Sequence, residues 1–275
     1  DVALGRVATR SVGGRRADVV TLDALGTLVE LEPPAPRLVA ELRARGADVS
    51  EAQAAAALAA EIAYYRAHHD LGVDAASLAL LRTRCAGVLG AALERAGADV
   101  RALAPGALRD ALLAALRFRP FDDVRDALGE LRAAGHRLVV VSNWDVSLHE
   151  MLRTTGLDAL VDGAISSAEA GERKPAPGIF RRAVALAGGQ AGDGAALHAG
   201  DSLELDVAGA LGAGLRAVLV ARAPDALPAG AGEGDGAGAG AGECAGAGGG
   251  DGGGAGVLDG VPVIASLAGL AALAA

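Results

Sequence analysis

Two patterns of hydrophobic residues alternate along most of the chain. Short apolar runs, rich in Val, Leu and Ala, stand at residues 19–22, 137–141, 164–166, 195–199, 217–220 and 261–264. Amphipathic stretches with helical spacing separate or follow them, at 124–134, before 155, and at 178–187, 204–213 and 266–274. Runs that are apolar throughout are typical of strands buried on both faces of a parallel sheet. The pattern therefore predicts an α/β fold with a largely parallel sheet.

Between residues 33 and 120 the pattern changes to Ala- and Leu-rich helices without a strand signal. Ser50 and Gln53 form a capping box that opens a helix to about residue 68. Asp74 can cap a helix to about residue 96, and Pro105 suits the first turn of a helix that ends near residue 118. Ordinary strand-to-helix connections take only roughly 2–6 residues, so this block is predicted to be an inserted helical cap.

The expected domain organisation has four parts. Residues 1–16 form a flexible tail, residues 17–32 and 121–275 form the α/β core, and residues 33–120 form the cap. Within the core, residues 229–256 are nearly all Gly and Ala with a few acidic residues. Such a segment cannot bury enough apolar surface to fold, so we expect a disordered insertion there.

Composition narrows the class of protein. The formal net charge of −9 argues against nucleic acid or an anionic membrane as a main partner. The chain has only two cysteines, and they lie far apart in sequence, so we expect no disulfide framework. No apolar run looks long enough for a membrane span, and the first residues lack the apolar segment of a secretory signal, so we expect a cytoplasmic protein.

The basic residues are 24 arginines and one lysine, Lys174. Arginine and lysine are not interchangeable where a compact, mobile point charge is needed. Because every other basic side chain apart from histidine is arginine, Lys174 is a candidate catalytic residue. A solvated charge on a loop would explain the lysine as well.

Polar side chains follow several of the predicted strands. Asp23 ends the first strand, Ser142 and Asn143 end the second, and Asp201 follows a later one. The carboxyl ends of parallel strands share one edge of the sheet, where ligands bind in open α/β folds. Each residue alone has an ordinary explanation as a turn or helix-capping group. Together, in this order, they predict an active site at that edge.

These residues together could bind a metal ion and a phosphate group. Asp23 and Asp201 can share Mg²⁺, a hard cation that takes oxygen ligands, and Asp206 can reach back as an outer or water-mediated ligand. The Ser142 hydroxyl and nearby turn amides can bind phosphate oxygens. Lys174 can neutralise charge on the nucleophile and on the group being transferred.

At this point the chain resembles the haloacid dehalogenase-like (HAD) hydrolases. The resemblance spans about residues 18–220 and the last strand, and rests on four motifs in register: Asp23-Ala24-Leu25-Gly26-Thr27, Ser142-Asn143, Lys174-Pro175 and Gly200-Asp201-Ser202-Leu203-Glu204-Leu205-Asp206. The helical block resembles the cap that this family inserts after its first motif. The resemblance implies a Rossmann-like core, a Mg²⁺ cofactor and an aspartyl-enzyme intermediate. On this basis we expect a hydrolase whose partner is a small-molecule substrate, a phosphorylated metabolite.

By this resemblance Asp23 is the nucleophile, Ser142 binds phosphate and Lys174 stabilises charge. Asp201 and Asp206 are the metal acids, with Asp23 completing the set. We also expect substrate contacts at Asn143, Gly26 and Thr27, which lie on the two turns beside the nucleophile.

One position departs from the family pattern. Family phosphatases carry a second Asp two residues after the nucleophile, which protonates the leaving group and later activates water. Here that position is Leu25, whose carbonyl can still bind the metal but whose side chain cannot carry a proton. General acid–base help is typically worth about 10²–10⁴-fold, so a phosphatase without it should be slow on poor leaving groups.

Three explanations of Leu25 stay open. A proton donor could come from Glu204 or from a cap histidine, His68 or His69, although a solvated helix end explains these histidines more simply. The enzyme could be a dehalogenase, since a halide leaves without a proton, but the intact acidic pair argues for a metal. The chain could also be a weakly active module that binds a phosphorylated ligand or a protein. A phosphonate-cleaving enzyme, which needs a cap lysine, is excluded because residues 33–120 contain none.

Overall fold

The computed structural model describes residues 16–192, 194–222, 256–258 and 260–275. Almost all of the expected tail, and residues 229–255 of the expected disordered insertion, lie outside the described residues. Gly256, the last residue of that predicted insertion, begins a strand.

In the described part of the chain, seven strands form one sheet in the order β5-β4-β1-β6-β7-β9-β8. Six of these described strands run parallel, and only β8 pairs antiparallel, with β9. The strands are β1 Val19–Leu22, β4 Arg137–Ser142, β5 Gly163–Ser166, β6 Ala196–Gly200, β7 Arg216–Val220, β8 Gly256–Leu258 and β9 Val261–Ile264, with a separate pair formed by β2 Val29–Leu31 and β3 Phe118–Pro120. The predicted α/β class is confirmed.

Strand β1 lies between β4 and β6 and pairs with both. Its alternate side chains enter different cores: Val20 and Leu22 join one apolar cluster, and Val19 joins the other. A strand with both faces buried reads as a continuous apolar run, which is the pattern the sequence shows. Because its neighbours are parallel, the residues that follow all three strands meet at one edge.

Helices cover both faces of the sheet. Helices α5, α6 and α10 pack on one face, and α8 and α9 on the other. Their bounds are α5 Val124–Ala133, α6 Leu148–Thr155, α7 Ser167–Ala170, α8 Pro177–Leu186, α9 Gly209–Gly212 and α10 Leu270–Ala274. Two boundaries differ from prediction. The helix expected at 204–213 is a π-helical segment, Leu203–Ala208, continued by α9, and the one expected at 266–274 begins at Leu270.

Four helices form an insertion between β2 and β3: α1 Pro34–Ala44, α2 Glu51–His68, α3 Ala75–Arg95 and α4 Ala107–Ala115. They enclose an apolar core of their own, separate from the two cores of the sheet. The capping box at Ser50 and the N-cap at Asp74 are present as predicted, and Ser77 completes a second capping box with Asp74. Pro105 does not begin α4, because Gly106 precedes that helix with a left-handed backbone (φ 83°).

The strand pair β2–β3 was not predicted. The sequence pattern indicates no strand between residues 33 and 120, yet Val29–Leu31 pairs antiparallel with Phe118–Pro120. Each strand has three residues, too few for an alternating pattern to stand out. The pair brings the two ends of the insertion together beside the core.

Helix α3 is long and apolar enough for a membrane span by length and composition, with a mean hydropathy of 1.3. The sequence reasoning did not anticipate such a run. In the folded chain its apolar residues serve a packing role, since Leu81, Cys85, Leu89 and Leu93 lie in the core of the insertion.

Two leucines of α3 test this packing, because Leu89 is fully buried and Leu80 is 62% exposed. We expect Leu89→Ala to lower the free energy of unfolding by about 2–5 kcal/mol, through lost burial and the cavity left behind. The matched change Leu80→Ala should stay within about 0.5 kcal/mol of the parent. Urea unfolding measures both, and equal losses would contradict the packing described here.

Candidate active site

The Asp23 side chain lies at the carboxyl end of the central strand and is almost fully buried. Its Oδ1 atom accepts hydrogen bonds from Ser142 Oγ, at 2.9 Å, and from Lys174 Nζ. Among the described residues, no group donates to the other oxygen, Oδ2. The carboxylate is therefore held by one oxygen and presents the second for chemistry.

Lys174 Nζ bridges two carboxylates, since it also donates to Asp206 Oδ1 at 2.5 Å. The lysine and Asp206 are nearly inaccessible to solvent. Burial by itself lowers the pKa of Lys174, but Asp23 and Asp206 outweigh it and hold the pKa well above its usual range. The only lysine of the chain is therefore a permanent buried cation beside the predicted nucleophile.

Asp206 receives three donors. Its Oδ1 accepts from Lys174 and from His198 Nε2, at 3.1 Å, and its Oδ2 accepts from the Ser202 backbone N–H, at 3.0 Å. Burial opposes ionisation of Asp206, yet Lys174 and His198 bring its pKa well below the usual range. For Asp23 burial dominates and raises the pKa, against the opposing effect of Lys174.

Sequence reasoning missed His198. It stands inside the apolar run of β6 and is fully buried, with its Nδ1 atom 3.0 Å from the Thr21 hydroxyl of β1. The available signal was a histidine within an otherwise apolar buried strand, three residues before Asp201. A buried polar group needs a partner, so it had to face something polar.

The three predicted metal acids converge. Asp23, Asp201 and Asp206 each offer a carboxylate oxygen, and these atoms lie within 4.8 Å of one another. Three carboxylates face one ammonium, so two negative charges lack a partner when all are ionised. Burial and the charges of Asp23 and Asp206 accordingly raise the pKa of Asp201 to about 7. An all-oxygen donor set with excess negative charge, reached by solvent at Asp201, fits Mg²⁺.

The turn after Asp23 depends on Gly26. Its backbone is left-handed (φ 86°), and a Cβ placed there would lie 2.2 Å from Asp201 Oδ2. Only glycine combines this conformation with so close an approach to the second acid. Gly26 therefore lies beside Asp201, one of the predicted metal acids, and its predicted contact with substrate stays a prediction.

The other two predicted substrate contacts are placed differently from Gly26. The Asn143 side chain is occupied by the Lys174 backbone: its Nδ2 donates to Lys174 O at 3.1 Å, and its Oδ1 accepts from Lys174 N at 2.8 Å. Thr27 is fully buried, and its carbonyl accepts from the guanidinium of Arg222. In this geometry both residues shape the site rather than face a substrate with their side chains.

Within the described residues, the three candidates for the acid that Leu25 lacks lie away from the nucleophile. The Leu25 side chain itself is 39% exposed at the open side of the turn. His68 Nδ1 lies 2.7 Å from Tyr64 O, and His69 Nδ1 faces Ser167 and Asp70. Glu204 is exposed on the π-helical segment. In the described part of the chain, none of these three bonds to Asp23, Ser142 or Lys174.

The insertion is joined to the loops of this edge. Tyr65 donates to Asp145 Oδ2 at 3.0 Å, and Val146 N donates to Gly72 O at 2.9 Å. Asp70 accepts from Ser167 Oγ at 2.6 Å and from Arg173, the residue before Lys174. The turn that follows α2 is thus bonded to the segments that carry Asn143 and Lys174.

The chain belongs to the haloacid dehalogenase-like hydrolase family, whose model matches residues 17–214. One relative is the bovine (Bos taurus) haloacid dehalogenase-like hydrolase domain-containing protein 3, 41% identical over 33% of this chain and 35% of that protein. Another is the N-acylneuraminate-9-phosphatase of Mus musculus, 37% identical over 36% of this chain and 39% of that protein. The matched regions span little more than a third of these relatives.

Solved structures show the same fold. The HAD hydrolase YfnB of Bacillus subtilis, solved with bound magnesium, matches with a TM-score of 0.56 and 19% identity, over 78% of this chain and 93% of that one. The L-2-haloacid dehalogenase of Xanthobacter autotrophicus matches with a TM-score of 0.54 and 22% identity, over 76% and 80%. At these sequence identities the similarity shows the fold alone. It does not distinguish the HAD hydrolase from the dehalogenase, because both have this fold.

The raised pKa of Asp201 predicts a pH-dependent stability in metal-free protein. The pKa of Asp201 is about 7 in the folded protein, whereas its ordinary value of 3.8 applies to the unfolded chain. The folded state therefore binds the proton more tightly. The contribution of Asp201 to stability is therefore full below about pH 4 and is lost as the pH rises through about 7. Asp201→Asn removes this dependence. Urea midpoints in a chelator, measured from pH 4 to 8, should show the parent losing stability relative to the variant; parallel curves would contradict the assignment.

Proposed function

We propose that the protein is a magnesium-dependent phosphatase that acts on a small phosphorylated metabolite through an aspartyl-phosphate intermediate. The observation that carries the proposal is the arrangement around Asp23: Ser142 and Lys174 hold one of its oxygens, and no group among the described residues donates to the other. The relative named N-acylneuraminate-9-phosphatase supports the choice of phosphate as the transferred group.

In the first step Asp23 Oδ2 attacks phosphorus, and the bond between phosphorus and the alcohol oxygen breaks. Lys174 balances the charge of the nucleophile and of the phosphoryl oxygens, and Ser142 keeps the carboxylate in one orientation. In the second step water attacks phosphorus and the bond to Asp23 breaks, which releases phosphate. Because Leu25 has no proton to give, the leaving oxygen departs as an anion and takes its proton from water only after transfer, when water enters the site; the protons of the attacking water leave with the phosphate.

The carboxylates of Asp23 and Asp201 and the carbonyl of Leu25 would hold Mg²⁺, with Asp206 as an outer ligand. When bound, the ion supplies positive charge against the phosphoryl oxygens. The acids alone repel an anionic substrate, so both the fit of the donor set and the charge balance favour a bound cation.

The insertion acts in this proposal as a cap that excludes water during transfer. Its contacts support this role, since Gly72 and Asp70 bond to Val146 and Arg173, close to Asn143 and Lys174. Closing over the site would leave the substrate between the insertion and the loops of the sheet edge.

Dehalogenation is the second candidate, and the non-acidic Leu25 is the observation that favours it. A halide leaves without a proton, so Asp23 could attack carbon instead of phosphorus. The acidic pair Asp201 and Asp206 argues against it. The dehalogenases that the chain resembles work without a metal, whereas here both acids are present and converge with Asp23 as a metal site requires.

Purified protein should release phosphate from an activated aryl phosphate when Mg²⁺ is supplied and not in a chelator. Asp23→Asn should lower this rate by about 10³-fold or more, because the nucleophile is lost. The control is Asp18→Asn, an exposed acid just before the same strand, which should leave the rate unchanged. Metal-independent halide release from 2-chloropropionate would instead establish the dehalogenase. If neither reaction occurs but a phosphate analogue with Mg²⁺ raises the Tm, the chain is a binding module.

Leu25→Asp should raise turnover on unactivated alkyl phosphates by about 10- to 100-fold, since it supplies a general acid where the leaving group departs. Leu25→Asn is the matched control: it is equally polar but cannot deliver a proton, and should give no such rise. Steady-state kcat on alkyl and aryl phosphates measures the effect. An unchanged rate for the Asp variant would mean that another group already protonates the leaving oxygen.

A further inference from the structure

We propose that His198 is a positioning residue that fixes the carboxylate of Asp206 and, through it, the ammonium of Lys174. It does not reach the reacting atoms, and it acts from beneath the site, within the sheet. Its effect on Mg²⁺ and turnover rests on the proposed function, but its effect on Lys174 does not.

The placement of His198 is determined by the sheet. In the register of β1 and β6 it lies directly beside Thr21, and its Nδ1 atom is 3.0 Å from the Thr21 hydroxyl. The Phe180 ring packs against the imidazole in a T-shaped arrangement, with an interplanar angle of 84° and centroids 5.0 Å apart. The ring is therefore held from two sides, and its Nε2 atom is directed at Asp206.

Chemistry assigns the donors. The Asp206 carboxylate only accepts, so His198 Nε2 carries a proton and donates to it. The Thr21 hydroxyl lies within reach of both Nδ1 and the Leu197 carbonyl, and can serve the ring in either role. Every polar atom of the imidazole is thus paired, which a buried histidine requires.

Asp206 depends on this donor because of where it stands. It lies in the π-helical segment after β6, and its side chain folds back over Gly200, where a Cβ would come within 2.3 Å of Asp206 Cγ. Its remaining donors are Lys174 and the Ser202 N–H. Without His198 the lysine alone would pull on Oδ1, and the bridge between Asp23 and Asp206 would lose its fixed geometry.

The single lysine makes this measurable. Protein produced with lysine labelled at ¹³Cε and ¹⁵Nζ gives one side-chain signal, from Lys174. His198→Leu removes both ring nitrogens at similar volume, and should shift or broaden that signal. His198→Gln keeps a terminal N–H near the position of Nε2, and should restore most of the parent signal. The control is His136→Leu, another buried histidine whose Nδ1 bonds to Ala17 O, near the amino end of β4.

Calorimetric titration with Mg²⁺ gives the functional readout without turnover. Changes to groups that support a metal ligand typically cost about 10–100-fold in metal affinity. We expect such a loss for His198→Leu, a much smaller one for His198→Gln, and none for His136→Leu even where its Tm falls. Parent protein that binds no Mg²⁺ would refute the metal in the proposed function, and the Lys174 signal would still decide the role of His198.

Three results overturn the proposal: an unchanged Lys174 signal in folded His198→Leu, a Gln variant as perturbed as the Leu variant, or the same change in His136→Leu. If His198→Leu does not fold, Thr21→Val takes its place. That change removes the partner of Nδ1, together with the contact of the same hydroxyl to the Leu197 carbonyl, and leaves Nε2 in place. It should move the Lys174 signal in the same direction by a smaller amount. No movement in Thr21→Val would then overturn the proposal.

Discussion

The ion bridge from Lys174 to Asp23 and Asp206 is the interaction on which the site depends. A buried ammonium is tolerated only where carboxylates and further hydrogen bonds replace the water it has lost, and removing one partner leaves an uncompensated charge. Here the three charged groups come from the end of β1, the loop before α8 and the segment after β6. One buried cation therefore holds together three parts of the chain that are far apart in sequence.

Much of the surrounding structure keeps this bridge in place. Asn143 clamps the backbone of Lys174, and the next residue back, Arg173, bonds to Asp70 of the insertion. Arg222 holds the carbonyl of Thr27 and so fixes the turn after the nucleophile. These contacts link the insertion and the end of the sheet to a single charged centre, so the insertion is bonded to the same loop that presents Lys174.

The sequence predicts a secondary-structure element well where the hydrophobic pattern of that element is long, and poorly where it is short. The strands and helices of the core were predicted closely because buried strands and amphipathic helices leave long periodic patterns. The pair β2–β3 was missed because strands of three residues are too short to show an alternating pattern. The start of α4 was placed at Pro105, but Gly106 adopts a left-handed backbone and the helix begins after it. In the site, the motif acids and Lys174 converge as expected. His198 was missed because a histidine inside an apolar strand reads as part of the core.

By itself, the sequence determined the kind of fold and the set of chemical groups at its edge. Local pattern specifies which runs are strands, and parallel strands must end together, so Asp23, Ser142 and Asp201 had to share one edge. Only the tertiary structure decided which atoms meet. It directed both donors to one oxygen of Asp23, engaged Asn143 with the Lys174 backbone, and set His198 under Asp206. These pairings join residues distant in sequence, and they follow from packing and from the cost of leaving a buried charge unpaired.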